Sequence, residues 1–181
     1  MTFANPASNA STAAAGYVRA LLDLLGSQDP LAVLDALLPW LERRTASLDP
    51  AALRRAEAPG KWSVIEVIQH LADAELVMGF RIRMVLTGNE PELQGYDQDR
   101  WVSALRYAEV PLDLALGQLR GTRNANLRLL RTLTPEQRER VGLHSERGRE
   151  SVGLMLRMMA GHDLVHRRQI DRILGPAAGG G

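Results

Sequence analysis

An all-α four-helix bundle is the fold this sequence predicts, on three observations. Its apolar residues recur with helical period over segments too long to be strands. Leu, Ala, Arg and Glu dominate while β-branched residues never cluster, and straight-chain residues lose little rotamer freedom in a helix. Its 181 residues, 45% of them hydrophobic, suit one compact core.

The segment 1–15 is Ala/Ser/Asn-rich and reads as disordered, 16–174 as the bundle domain and 175–181 as a flexible tail. The first helical region runs from about Tyr17 to Ser47. Tyr17, Val18, Leu21, Leu22 and Leu25 form one apolar patch that Gly26 ends. Asp29-Pro30 is a capped helix start, and Leu31, Leu34, Leu37, Leu38 and Leu41 continue the pattern. Pro39 is expected to kink or restart this segment, because it lacks an N–H and clashes one turn back.

A second segment opens at Ser63 with a capping box to Glu66. Val64, Val67, Ile68, Leu71, Ala74, Met78, Ile82 and Val85 supply its stripe, and Gly88 stops it. Residues 89–106 form a long connection containing Tyr96 and Trp101. That length allows the third segment to run parallel to the second and suits a loop that shapes a site. The third segment starts near Pro111 and carries Leu112, Leu116, Leu119, Leu127, Leu130 and Leu133, with Thr134-Pro135 ending it. Glu136 to Glu150 is polar and Arg-rich and is expected to be a partly extended loop. Ser151 then caps the last helix, whose stripe is Val152, Met155, Leu156, Met159, Ile170 and Ile173.

The 22 basic and 21 acidic residues leave a formal charge of +1, which disfavours a protein that grips nucleic acid by its phosphates. With no cysteine, disulfides and thiolate ligands are excluded, so any metal site must use His, Asp or Glu. The N-terminus has neither the basic start nor the apolar core of a signal peptide, and no apolar run reaches membrane-spanning length. A cytoplasmic protein is expected, with no membrane or nucleic-acid partner, a small-molecule substrate, and a homodimer as its one candidate assembly.

At about 100° per residue, His162 and His166 fall near the middle of the last apolar arc, four residues apart on one face. That is how a helix offers two nitrogens to one metal. His70, at the edge of the second stripe, reaches a compatible level if its helix runs antiparallel to the last one. The plainer alternative is three core histidines, each satisfied by a hydrogen bond. Three neutral imidazoles with an open position describe a catalytic metal site rather than a closed structural one. His144, in the polar loop, is expected to be solvated. Asp163 points about 100° away from His162.

Other polar residues intrude on the inward arcs: Glu75, Arg81, Arg123, Asn126 and Gln169. Either they pair with one another, as buried charges must, or they line a cavity. Tyr96, Arg123, Asn126 and Gln169 are the candidate substrate contacts. No residue stands out as catalytic.

These residues resemble the DinB/YfiT-like family of metal-dependent four-helix-bundle proteins. The likeness rests on Ala58-Pro59-Gly60-Lys61-Trp62-Ser63 leading to Glu66, on His70-Leu71-Ala72-Asp73-Ala74-Glu75 and on Arg81-Ile82-Arg83. It continues through Tyr96-Asp97-Gln98-Asp99-Arg100-Trp101 and ends in Gly161-His162-Asp163-Leu164-Val165-His166-Arg167-Arg168-Gln169-Ile170. It implies up-down-down-up helix order and a divalent ion on His70, His162 and His166, with zinc or nickel expected first and iron second. Many relatives carry a further histidine beside the second ligand of the last helix, where this chain has Val165 and Arg167.

The resemblance also implies function. The family includes transferases and isomerases that use low-molecular-weight thiols such as bacillithiol or mycothiol. The leading expectation is therefore a metal-dependent transferase that activates such a thiol, which a chain without cysteine must take from outside. A metal-dependent hydrolase shares the site and differs in what fills its open position. A non-catalytic metal-binding stress-response protein is the rival from another class.

Overall fold

The computed structural model describes residues 10–175. Its helices are α1 (Ala10–Leu25), α2 (Pro30–Thr45), α3 (Pro50–Leu53), α4 (Val64–Thr87), α5 (Gln98–Ala104), α6 (Leu112–Arg131), α7 (Pro135–Glu139) and α8 (Val152–Leu174). Strands β1 (Glu92–Leu93), β2 (Val141–His144) and β3 (Gly148–Ser151) form one small sheet.

Local chemistry sets the helix starts. Asp29 accepts from the Leu31 N–H at 3.1 Å, with Pro30 at the first helical position of α2, where its missing N–H costs nothing. At α4 the Glu66 carboxylate reaches back to the Ser63 N–H at 2.7 Å, the return half of the expected capping box. Ser151 accepts from Leu154 N at 3.1 Å to open α8.

Helices α2, α8, α4 and α6 close a ring in that order, and the residues that meet across it give the directions. Gln69 meets Gln118 at 3.1 Å, Glu75 meets Arg123 at 2.9 Å and Arg83 meets Asn126 at 2.6 Å, so α4 and α6 run parallel. Trp40 meets Arg167 and Arg44 meets Asp171, so α2 and α8 run parallel. Glu57, in the connection just before α4, pairs with Arg172 near the end of α8, and His70 within α4 meets His162 earlier in α8, so α4 and α8 are antiparallel. The result is the up-down-down-up order.

The first region divides where Gly26 and Asp29-Pro30 mark it, into α1 and α2, and α1 packs on α8 outside the four-helix ring. Gly161 permits this: a Cβ there would lie 2.4 Å from the Leu21 carbonyl oxygen. The first helix also begins at Ala10, inside the segment read as disordered; residues 1–9 and 176–181 lie outside the described part. Helix α2 runs unbroken through Pro39. The carbonyl that loses its donor is that of Asp35, on the exposed face of the helix, where a backbone acceptor is open to solvent and its loss costs less than in a buried turn.

The 136–150 stretch holds more order than expected. After α7, β2 and β3 pair as an antiparallel hairpin turned at Gly148, whose φ of 74° suits glycine. Strand β1, from the long connection, adds to β2 in parallel, with Leu93 opposite His144. Among the described residues no helix is long and apolar enough to cross a membrane.

The apolar core is split in two. One cluster includes Leu21, Leu34, Ile82, Leu130, Met155 and Met159, and the other Leu41, Ile68, Leu71, Leu119 and Ile170. Between them the helices bury a polar belt: Glu75, Arg123, Asn126, Asp163 and His166. Burying charge in mid-bundle costs stability unless each group is paired, which directs attention to what the belt holds.

Candidate metal centre

The three histidines singled out by spacing converge. His70 Nε2 lies 3.0 Å from His162 Nε2, and His166 Nε2 lies 3.1 Å from the same atom. The i, i+4 spacing stacks His162 and His166 one turn apart on α8, and the antiparallel run of α4 brings His70 to their level. Among the described residues this is the cluster of three metal-ligating side chains, with one nitrogen from each within 4.8 Å of the others.

The donor set fits a divalent ion. Imidazole nitrogens about 2.0–2.1 Å from a tetrahedral ion stand about 3.3 Å apart, close to the two separations at His162 Nε2. Hydrogen bonding explains the cluster less well, because His162 Nε2 faces two nitrogens and can share only one proton with them. Burial pushes all three imidazoles towards the neutral form a ligand needs, well below the ordinary range for His70 and His162 and down to about 4 for His166.

Two neighbours hold the rings in place. The Gln169 amide oxygen lies 2.8 Å from His166 Nδ1. Trp62 stacks on His166 at 6.3 Å between centroids and tilts over His70 at 4.8 Å. Its indole N–H donates to Asp99 at 3.0 Å, which ties this cover to the 89–106 connection. In the sequence Trp62 stood only within the stretch leading to Glu66 that carries the family likeness; its place just before the α4 cap was the available signal.

A cavity of about 90 Å³ opens beside the cluster, with His162 and Asp163 on its wall. By volume it holds several waters or a small organic group. Tyr96 lines it, as do Tyr17, Arg81, His144 and Glu146, so the long connection does pack at the mouth.

The remaining candidate contacts fare differently. Arg123 also reaches the wall, but its donors go to Glu75 at 2.9 Å, the Leu34 carbonyl at 2.7 Å and both oxygens of Asp163. Asn126 is buried, donates to the Glu75 carbonyl and carboxylate, and accepts from Arg83. Gln169 serves His166. These three are therefore engaged, Arg123 and Asn126 with Glu75 and Gln169 with the cluster, whereas Tyr96 faces the cavity. His144 corrects an expectation: it is 4% exposed rather than solvated, because β2 turns alternate residues inward.

With this geometry in hand, likeness to known proteins becomes informative. The DinB superfamily profile matches residues 34–170. The chain belongs to the DinB superfamily. A candidate metal-dependent hydrolase of Oceanobacillus iheyensis is 30% identical over 137 residues, 75% of this chain and 79% of that protein. One from Bacillus mycoides is 25% identical over 133 residues, 74% and 76% of the two chains. Among solved DinB-like folds, YfiT of Bacillus subtilis, described as a probable metal-dependent hydrolase with an unusual four-helix bundle topology, superposes with a TM-score of 0.70. It is 24% identical and the match covers 81% of this chain and 86% of YfiT. A mycothiol-dependent maleylpyruvate isomerase matches with a TM-score of 0.66 at 14% identity, over 87% of this chain and 64% of the isomerase. Both likenesses speak to the fold, and both agree with the up-down-down-up ring.

Proposed function

We propose that this DinB-superfamily chain is a metal-dependent enzyme whose His70, His162 and His166 hold one divalent ion, with a low-molecular-weight thiol as its nucleophilic co-substrate. The observation that carries this reading is the convergence of three neutral imidazoles beside a cavity, with His162 as the histidine that opens on it. When bound, the ion would lower the pKa of a thiol or water so that a nucleophile forms near neutral pH.

The chain's own residues favour a thiol. It has no cysteine to act as nucleophile. The carboxylates beside the cluster, Glu75 and Asp163, are both held by Arg123, so neither is free to take a proton from water. A thiol needs less help, since its ordinary pKa is about 8.5. Trp62 and the bundle core shield the far side of the cluster, leaving access from the cavity.

Hydrolysis is the second reading, supported by the names of the curated relatives and by Glu146. That carboxylate lines the cavity and makes no ion pair among the described residues, so it could serve as a general base.

Protein purified without a histidine tag should contain close to one zinc or nickel per chain. The loaded protein should then consume monochlorobimane in the presence of bacillithiol or mycothiol, and His166→Ala should abolish that reaction. Thiol-independent cleavage of a p-nitrophenyl ester, lost in both His166→Ala and Glu146→Gln, would replace the thiol reading with hydrolysis. Metal binding with neither activity, and a melting temperature that depends on the metal, would leave the non-catalytic protein.

A further inference from the structure

The cavity has a second polar end that the metal centre does not use. His144 lies there with its Nδ1 accepting from the Glu146 backbone N–H at 3.1 Å. A neutral ring that accepts at Nδ1 carries its proton on Nε2. That Nε2 is buried and has no hydrogen-bond partner among the described residues. Burial holds the ring in the neutral form, with the charges of Arg147 and Arg81 acting in the same direction. A buried donor without a partner is costly and calls for a partner to account for it.

Arg81 is the second observation. It lines the same cavity and is 6% exposed, yet no carboxylate among the described residues lies within ion-pair distance of it. Its partners are the Gln94 carbonyl, the Met78 sulfur at 3.8 Å and the Tyr96 ring at 5.9 Å. The other two arginines on the wall are engaged, Arg123 by Glu75 and Asp163, and Arg147 by Glu150. Gln94 follows Leu93, the residue paired with His144 across the β1–β2 ladder, so Arg81 and His144 stand at one end of the cavity. Glu146 is the opposing charge there, with its carboxylate set against Gly95.

We infer that Arg81 and the Nε2–H of His144 form a recognition site for an oxyanion, a carboxylate or phosphate group carried by the substrate whose reacting end lies at the histidine cluster. A guanidinium and a neighbouring N–H donor match two oxygens of such a group. This rests on the proposed function only in assigning the other end of the ligand to the metal; the oxyanion site itself is built from residues that do not touch the cluster.

The test is titration of the zinc-loaded full chain with propionate, inorganic phosphate and, as the uncharged counterpart, propionamide. Binding is followed by calorimetry and by the His144 Nε2–H resonance in nitrogen-proton NMR. Propionate or phosphate should move that resonance, and whichever binds tighter names the oxyanion. Propionamide should bind about tenfold or more weaker, as should the oxyanion to Arg81→Gln and to His144→Phe. Glu146→Gln should tighten it. Binding should persist in His166→Ala, which separates this site from anion capture by the metal. Anion binding that needs His166 and ignores Arg81, equal binding of propionamide, or a His144 resonance that does not move would each overturn the inference. The resonance is read in the unaltered protein, so the outcome does not depend on any variant folding.

Discussion

The Gln169 amide oxygen sits 2.8 Å from Nδ1 of His166, which keeps the ring proton on that side and turns the Nε2 lone pair towards His162. Partners of this kind orient a ligand and raise its basicity, and their loss costs about 10–100-fold in metal affinity. Gln169→Leu should weaken zinc binding by about that factor with the fold retained, whereas Gln169→Glu, which keeps an acceptor, should restore most of it. Competition with a chromophoric chelator measures both. Equal affinity in Gln169→Leu and the parent would show that the contact positions nothing.

The histidines themselves should account for the bound metal. The parent should bind close to one divalent ion per chain and the triple His70→Ala, His162→Ala, His166→Ala variant none. Both core clusters are apolar and include none of these rings, so the metal-free protein should stay helical by circular dichroism, unlike a zinc finger. Full metal content in the triple variant would remove the centre from this site.

Arg123 is the counterion for two buried carboxylates, Glu75 and Asp163, all three at most 4% exposed in their side chains. Removing one partner of such a group leaves uncompensated buried charge, at a cost of about 3–5 kcal/mol. Arg123→Met should lose about that much in urea unfolding. Adding Glu75→Gln to Arg123→Met should recover part of the loss, because it removes one orphaned charge. Losses below about 1 kcal/mol would mean that water reaches these carboxylates.

How much of this was legible depended on the length of each signal. The stripes of α4 and α8 are more than six turns long, so their phase placed His162 and His166 in the middle of the inward arc and His70 at the edge of its own. The same phase put Arg123 and Asn126 inside, but it could not say whether they faced a ligand or each other's neighbours. The α1–α2 break was harder, because Gly26 and Asp29-Pro30 were read correctly as stop and start while the position of α1 outside the ring depends on its contact at Gly161. The sheet escaped because two- and four-residue strands carry too few positions for a period-two pattern. Its parallel pairing also joins Leu93 to His144 across some fifty residues of chain. Only the alternation of Gly142 and His144 inward with Leu143 outward, ahead of the Gly148 turn, hinted at it, and with it the burial of His144 was missed.

Acid should destabilise the metal-free protein in a window set by its histidines. His70, His144, His162 and His166 all have folded-state pKa values below the ordinary 6.5, with His166 at about 4 and His144 at about 3. Below pH 6.5 the unfolded chain therefore binds protons that the folded chain refuses. Stability depends on pH in proportion to the protons bound by the unfolded state minus those bound by the folded state. That difference is positive here, so stability falls as pH drops from about 6.5 towards 4, by up to about 1.4 kcal/mol per pH unit for each histidine. One group acts in the other direction. Burial raises Asp163 to about 6 despite Arg123, so between about pH 6 and its unfolded value near 3.9 the folded chain holds one extra proton there. Four histidines outweigh one aspartate, and the net effect is loss. Urea midpoints taken from pH 7.5 to pH 4.5 should fall steadily below pH 6.5, and His144→Phe, which removes one of the four, should make the fall shallower. A flat profile from pH 7 to pH 5 would mean that the imidazoles take up protons in the folded state as readily as in the unfolded one, and with that the case for a ready-made set of neutral ligands would collapse.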